Sequence, residues 1–401
     1  MSMPSSRDFI IGPWRAVSVL GVTEILAWGA LFYPPVLTVP LIAADHGWSK
    51  AFAMAGFSLG LFVGGIVSRY VGSAIDRYGG HIVMPFGSLL GAAGLVGLVA
   101  APNATAYFAV WSVIGAAMAA SLYDPAFATL GRIFGAAARA PITTLTLAGG
   151  FASTVSWPAT QFLIDRAGWR GAYLVYAALL ALIAAPLLAF ALPRQRAAHE
   201  APATIAAELP DAPAVKPKLA PHGIVFVLVA TAFASYAFVP SALAAHLLAI
   251  FGRFGLTADT VVAIGMLFGP AQVLARVCEL TLARGFKPLA IARSAIALLV
   301  AGFVLLAIAP FSAMVAAIFA VMFGMTNGLI TIARGTVPLS LFGASGYGRL
   351  VGRIGGPFLV VQAVAPVALA YVVERASDVA GLALVAAFAV VSLVSFAVIR
   401  A

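Results

Sequence analysis

The sequence predicts an all-α membrane protein with twelve transmembrane helices in two pseudo-symmetric bundles of six. Three observations carry that expectation. First, the 401 residues are 63% hydrophobic and only 9% charged, with a mean hydropathy of +1.07. A soluble domain carries roughly 25% charged residues, so too little polar surface exists here to cover a water-soluble globule. Second, the apolar runs are long and rich in Ala, Leu, Val and Gly, as in YLVYAALLALIAAPLLAFAL at 173–192. A helix needs about 20 such residues to cross the hydrocarbon. Barrel strands would instead be about 10 residues of alternating polarity. Third, features of the first half recur in the second about 207–208 residues later.

Breaks at Gly, Pro and charge clusters place the spans in order. They fall at 15–39, 49–75, 80–101, 105–133, 139–165 and 169–192, then at 220–251, 258–284, 287–309, 311–338, 346–373 and 376–400. The polar stretch PRQRAAHEAPATIAAELPDAPAVKPKLAPHG at 193–223 is rich in Pro, Ala and charge, as flexible linkers are. The expected organisation is one bundle in 1–192, a linker in 193–219 and a second bundle in 220–401.

Twelve crossings put both termini on one side, and the charges say which side that is. Of the 23 Lys and Arg, seventeen fall on the side of the termini, among them Arg7, Arg15, Arg77, Arg132, Arg139, Arg194, Arg196, Lys216, Lys218, Arg284, Arg349 and Arg353. Five fall opposite, namely Lys50, Arg166, Arg170, Arg253 and Arg375, and Arg276 sits inside. Basic residues are retained on the cytoplasmic side, so both termini are expected in the cytoplasm and the chain in a bacterial-type inner membrane. The opening MSMPSSRDFIIGPWR lacks a compact apolar core with a cleavage site and reads as a cytoplasmic lead-in. The net charge of +10 thus belongs to topology and implies no nucleic-acid partner. The lone Cys278 excludes an intramolecular disulfide framework.

The recurrences share a register. Arg69 and Arg77 map onto Arg276 and Arg284, and FGAAARAPITT (134–144) aligns with FGASGYGRLVG (342–352). Duplications of this kind in membranes place a substrate site near mid-bilayer between the halves. The loop GSAIDRYGGH (72–81) resembles the signature G-x-x-x-D-R-x-G-x-[R/K] of the major facilitator superfamily. Gly72, Asp76, Arg77 and Gly79 match, His81 replaces the usual base, and Ala283 is the second-half counterpart of Asp76. HGWSKAFAMAGFSLGLF (46–62), GGFASTVSWPATQFL (149–163) and GWRGAYLVYAAL (168–179) resemble the monocarboxylate and oxalate-type branch. The resemblance implies two bundles rocking about a central cavity lined by spans 1, 4, 7 and 10. It also implies a span-8 arginine that binds the substrate carboxylate, a position held here by Arg276. Some members of the branch add a lysine in span 11, where this chain has Gln362.

Ionisable groups held in a membrane are functional candidates by default, because burial costs at least a few kcal/mol each. Six qualify: Glu24, Arg69, Asp124, Arg276, Glu279 and Arg334. The planar fork of Arg276 suits a carboxylate clamp, and the competing assignment is an i+3 pair with Glu279. Arg69 snorkels, locks the inner gate with Asp124 or contacts substrate. Arg334 and Asp124 lie on counterpart spans, so they could face each other and close the inner mouth, or Arg334 could bind substrate. Glu24, near the middle of span 1, is the proton-carrier candidate, with Asp124 as a second; its alternative role is a neutral acid hydrogen-bonded in the bundle. Asp76, Arg77 and Arg69 are expected at the gate, while Trp28, Tyr33, Tyr123, Trp157, Tyr236 and Asn327 could shape a pocket. Pro34, Pro35 and Pro125 should bend spans 1 and 4.

The leading expectation is a secondary transporter, a monomer in lipid, that moves a small organic anion such as a monocarboxylate with protons. An exporter of drug-like or amphipathic compounds is the alternative. The chain has no H-E-x-x-H, its G-x-S-x-G match GFSLG (56–60) lies inside the second span and not at a strand-to-helix elbow, and His46, His81, His199, His222 and His246 are scattered, so neither an enzyme nor a metal or other cofactor is expected.

Overall fold

A computed structural model describes residues 12–193, 223–283 and 285–400. Among them every regular element is helical. Arg7, Arg194, Arg196, Lys216, Lys218 and Arg284, with nearly all of the expected linker, lie outside the described residues. Twelve passages emerge, labelled here α1 (Arg15–His46), α2 (Lys50–Tyr78), α3 (Gly80–Ala100), α4 (104–134), α5 (139–167), α6 (169–191), α7 (Ile224–Arg253), α8 (Ala258–Thr281), α9 (Pro288–Ile308), α10 (Ala313–Phe342), α11 (Tyr347–Arg375) and α12 (Asp378–Val398).

Local chemistry sets the ends. Gly47 (φ 67°) closes α1 in the left-handed region, with Trp48 N–H donating to Ala43 C=O at 2.8 Å. Gly168 (φ 67°) turns α5 into α6 within an otherwise continuous helical stretch. Ser49, Asn103, Thr257, Ser312 and Ser377 cap α2, α4, α8, α10 and α12 by accepting a backbone N–H from three residues on. The Pro34–Pro35 pair does not end α1. It follows a π-helical turn, Trp28–Phe32, and the helix resumes at Pro35. The first span therefore runs seven residues past the expected boundary at 39. In α4 the chain breaks at Leu122, which is extended (φ −91°, ψ −162°), just before Tyr123-Asp124-Pro125.

The halves meet mainly at the end that carries the basic loops. There α2 runs against α11, α5 against α8, and α4 against α10 and α11. Parts of two stripes of small residues allow the first contact. Gly56, Gly60, Gly64, Ser68 and Gly72 recur every four residues on α2, and Gly348, Gly352 and Gly356 do so on α11. A Cβ at Gly65 would stand 2.8 Å from the Gly356 carbonyl oxygen, and one at Gly72 would strike the Gly348 carbonyl. Toward the opposite end, Ser156 packs its hydroxyl against Gly29 of α1, which seats the segment 152–167 on the first half.

Two ion pairs at the opposite end show the duplication directly. Asp45 at the end of α1 holds Arg170 at the start of α6 at 2.6 Å. Arg253 at the end of α7 holds Asp378 at the start of α12 at 2.5 Å. Each residue and its counterpart differ by 208 in number, with the charges exchanged.

Candidate functional site

The ionisable groups of the spans divide into pairs that link the halves and groups left without an ionic partner. At the basic end Asp76, in the last turns of α2, accepts the Gly348 N–H at 2.8 Å and the Arg349 N–H at 2.7 Å. A carboxylate thus caps the N-terminus of α11, where unpaired N–H groups and the helix dipole favour negative charge. Arg132 of α4 steadies that corner by donating to the Ile75 C=O at 3.0 Å and to the Asp76 C=O.

A second link joins α5 to α8. Glu279, 3% exposed, accepts from Arg139 Nε at 3.2 Å, from Arg139 Nη2 at 2.9 Å and from Thr143 Oγ1 at 2.9 Å. The α8 carboxylate is therefore satisfied from α5, and Arg276 is left free of it. A third link joins α4 to α10. Arg334 donates through Nε to Asp124 Oδ1 at 2.9 Å and through Nη2 to the same oxygen. Its guanidinium lies 4.1 Å from the centre of the Phe358 ring. A water-sized gap lined by Ser68, Gly72, Asp124, Gly348 and Gly352 adjoins this pair.

Arg276 and Glu24 remain. Arg276 is 3% exposed and reaches across the halves to donate from Nη1 to the Thr146 C=O at 2.7 Å. That carbonyl sits about one turn before α5 is interrupted at Phe151, and the missing Cβ at Gly150 makes room for the guanidinium. Its Nη2 touches Gln272 Oε1 at 3.4 Å, and its Nε has no partner. No carboxylate among the described residues pairs with it. Gln272 also accepts from Asn327 Nδ2 at 2.9 Å, and Asn327 Oδ1 accepts from Tyr236 at 2.8 Å. The second half thus supplies a guanidinium backed by a chain of amides.

The first half supplies Glu24, fully buried, with Oε2 accepting from the Trp28 indole at 2.8 Å and Oε1 unpartnered. Trp28 stands 5.1 Å from the Tyr123 ring and 5.9 Å from Tyr33. Tyr123 lies against Gly149 and Arg276 against the adjacent Gly150, which brings the aromatic group of the first half to the guanidinium. Glu24, Trp28, Tyr33, Tyr123, Asp124, Tyr236, Arg276, Asn327 and Arg334 therefore form one constellation, although they come from α1, α4, α7, α8 and α10.

Two expected gate residues stand apart from it. Arg69 is exposed, 4.5 Å from the Tyr70 ring and donating to the Tyr70 hydroxyl. Arg77 is also exposed, 5.1 Å from the Tyr78 ring. Sequence reasoning had not singled out Arg139, Thr143, Thr146 or Gln272. The one available signal was spacing: Arg139, Thr143 and Thr146 share a face of α5, and Gln272 precedes Arg276 by one turn of α8.

Comparison with known proteins agrees with this architecture. The structure superimposes on that of the human organic anion transporter MFSD10 (TETRAN) with a TM-score of 0.71 at 14% identity, covering 96% of this chain and 99% of the other. The proton:xylose symporter XylE gives 0.70 at 12% identity over 97% and 95%. The Escherichia coli fucose:proton symporter FucP gives 0.67 at 13% over 97% and 98%, and FucP in its outward conformation gives 0.66 at 13% over 98% and 99%. No curated protein matches by sequence. The profile of the Major Facilitator Superfamily matches residues 19–366; with two bundles of six helices joined through an Asp76-capped helix, this chain belongs to that superfamily.

Proposed function

We propose that this protein is a secondary transporter working by alternating access, in which protons drive a small organic anion, a monocarboxylate, across the membrane. The observation that carries the reading is Arg276: a guanidinium buried between the halves, without a carboxylate partner among the described residues and with Nε unsatisfied. An uncompensated buried charge costs at least a few kcal/mol, and a bound anion would offset that cost. The fold is shared with an organic anion transporter and with two proton symporters, which supports the class. The sequence similarity to the monocarboxylate and oxalate-type branch supports the ligand.

In this reading the basic end is cytoplasmic and the structure faces outward, with its three links holding the inner side shut. A carboxylate arriving from outside competes with the Thr146 carbonyl for the Arg276 fork. Binding then loosens the α5–α8 contact and biases the halves toward opening inward. Glu24 carries the proton, and its ionised form would be a second unpaired charge beside the ligand. Gln362 adds no cation, and its backbone carbonyl is already taken by Ser241 at 2.7 Å. That hydroxyl occupies the acceptor freed because Pro366, four residues on, has no N–H.

Proteoliposomes with an imposed pH gradient test the reading. Saturable, gradient-driven uptake of a monocarboxylate is expected, and Arg276→Lys should lower kcat/KM about 10- to 100-fold through loss of the paired hydrogen bonds. Uptake at the parental rate in both Arg276→Lys and Arg276→Ala would overturn it.

A further inference from the structure

We infer that the ligand is a monoanion whose carboxylate is borne on a flat aromatic body, in preference to a dicarboxylate or a short aliphatic acid. The inference rests on Arg276 as the anion's partner and goes on to ask what the surrounding charges and surfaces admit.

Charge decides the valence. Of the six ionisable groups at or beside the centre, Glu279 is neutralised by Arg139 and Asp124 by Arg334. With Glu24 protonated, the net charge is the single positive one of Arg276. One carboxylate cancels it. A second would remain as an unpaired buried anion, since the groups beside Arg276, Gln272 and through it Asn327, are neutral amides.

The rings decide the body. From Tyr123, which stands at Gly149 beside the Gly150 that Arg276 contacts, aromatic faces continue through Trp28 at 5.1 Å and Tyr33 at 5.9 Å to Trp157 at 6.2 Å. By helical rise this row climbs away from the closed end, from roughly 20 Å at Trp28 to roughly 27 Å at Tyr33 along α1, counted from Arg15. Other aromatic residues of the first half, such as Trp111 and Tyr107, are sealed in its core at 1% exposure, whereas Trp157 is 50% exposed. An open ring at the end of a row leading to an unpaired guanidinium offers stacking partners to a planar ligand, which edge-to-face and offset contacts favour over an aliphatic one of equal area.

The test measures binding to the full chain in nanodiscs, with benzoate, cyclohexanecarboxylate, acetate and oxalate as probes. Benzoate should bind about tenfold more tightly than acetate or oxalate and more tightly than the non-planar cyclohexanecarboxylate. Trp157→Ala should reduce benzoate affinity about tenfold while changing acetate affinity less than about twofold, and Trp157→Phe should restore it. Oxalate or acetate binding as tightly as benzoate, or Trp157→Ala weakening all acids equally, would overturn the aromatic inference alone. If no acid binds, or if Arg276→Lys leaves every affinity unchanged, the anion reading itself falls and this inference with it.

Discussion

A single residue, Arg276, stands out in the sequence because a guanidinium inside an apolar run is costly wherever it sits. Its position on α8 and its candidacy as an anion ligand were legible there. What the sequence left open was the competition with Glu279 three residues later, and that was settled by α5, which brings Arg139 and Thr143 to the same carboxylate. Glu24 was legible for the same reason, and its hydrogen bond to Trp28 follows from i+4 spacing on one helix. If Glu24 carries the proton, Glu24→Gln should abolish stimulation of uptake by a pH gradient while leaving substrate exchange intact; gradient-driven accumulation at the parental level would refute the role. Asp124 and Arg334, 9% and 14% exposed, form a buried pair between the halves. Asp124→Ala or Arg334→Ala alone should destabilise the protein by about 3–5 kcal/mol by stranding the other charge, and the double variant should recover most of that loss. Thermal unfolding in detergent reads this as a double-mutant cycle.

Among elements, the seam between α2 and α11 governs how closely the halves approach. The four-residue spacing of small residues on both helices is visible in the sequence, but such stripes serve any close helix contact. On α2 the stripe in fact serves two neighbours: Gly60 and Gly64 meet Trp111 and Gly115 of α4, whereas Gly65 and Gly72 meet α11. A Cβ at Gly72 would collide with backbone rather than with a side chain able to move. Gly72→Val should therefore disfavour the closed seam. In a Cys278→Ser background, Ser68→Cys, at a position now 2% exposed, should be alkylated several-fold faster when Gly72→Val is added; an unchanged rate would show that the seam does not limit closure. Proline was the less readable signal, since Pro34 and Pro35 neither end α1 nor leave it regular, and the π-helical turn ahead of them absorbs the lost N–H donors.

At the scale of the whole molecule, the distribution of Lys and Arg predicts that the basic end faces the cytoplasm. Cysteines introduced at Ser345, in the loop before α11, and at Thr260, at the opposite end of α8, provide the check in spheroplasts. Only the latter should react with a membrane-impermeant thiol reagent, and the reverse pattern would invert the proposed transport direction. Composition, run length and the 207–208-residue recurrence by themselves determined that this chain is helical, membrane-spanning, twelvefold and duplicated, because burying backbone in lipid leaves few other solutions. The exchanged pairs Asp45–Arg170 and Arg253–Asp378 fall in that same register, yet no pattern of single residues foretold them. Tertiary structure alone decided which charges neutralise one another and which one is left over. Helical periodicity specifies only the face of a helix a residue occupies, whereas ion pairing depends on separations of a few ångströms between helices far apart in the chain.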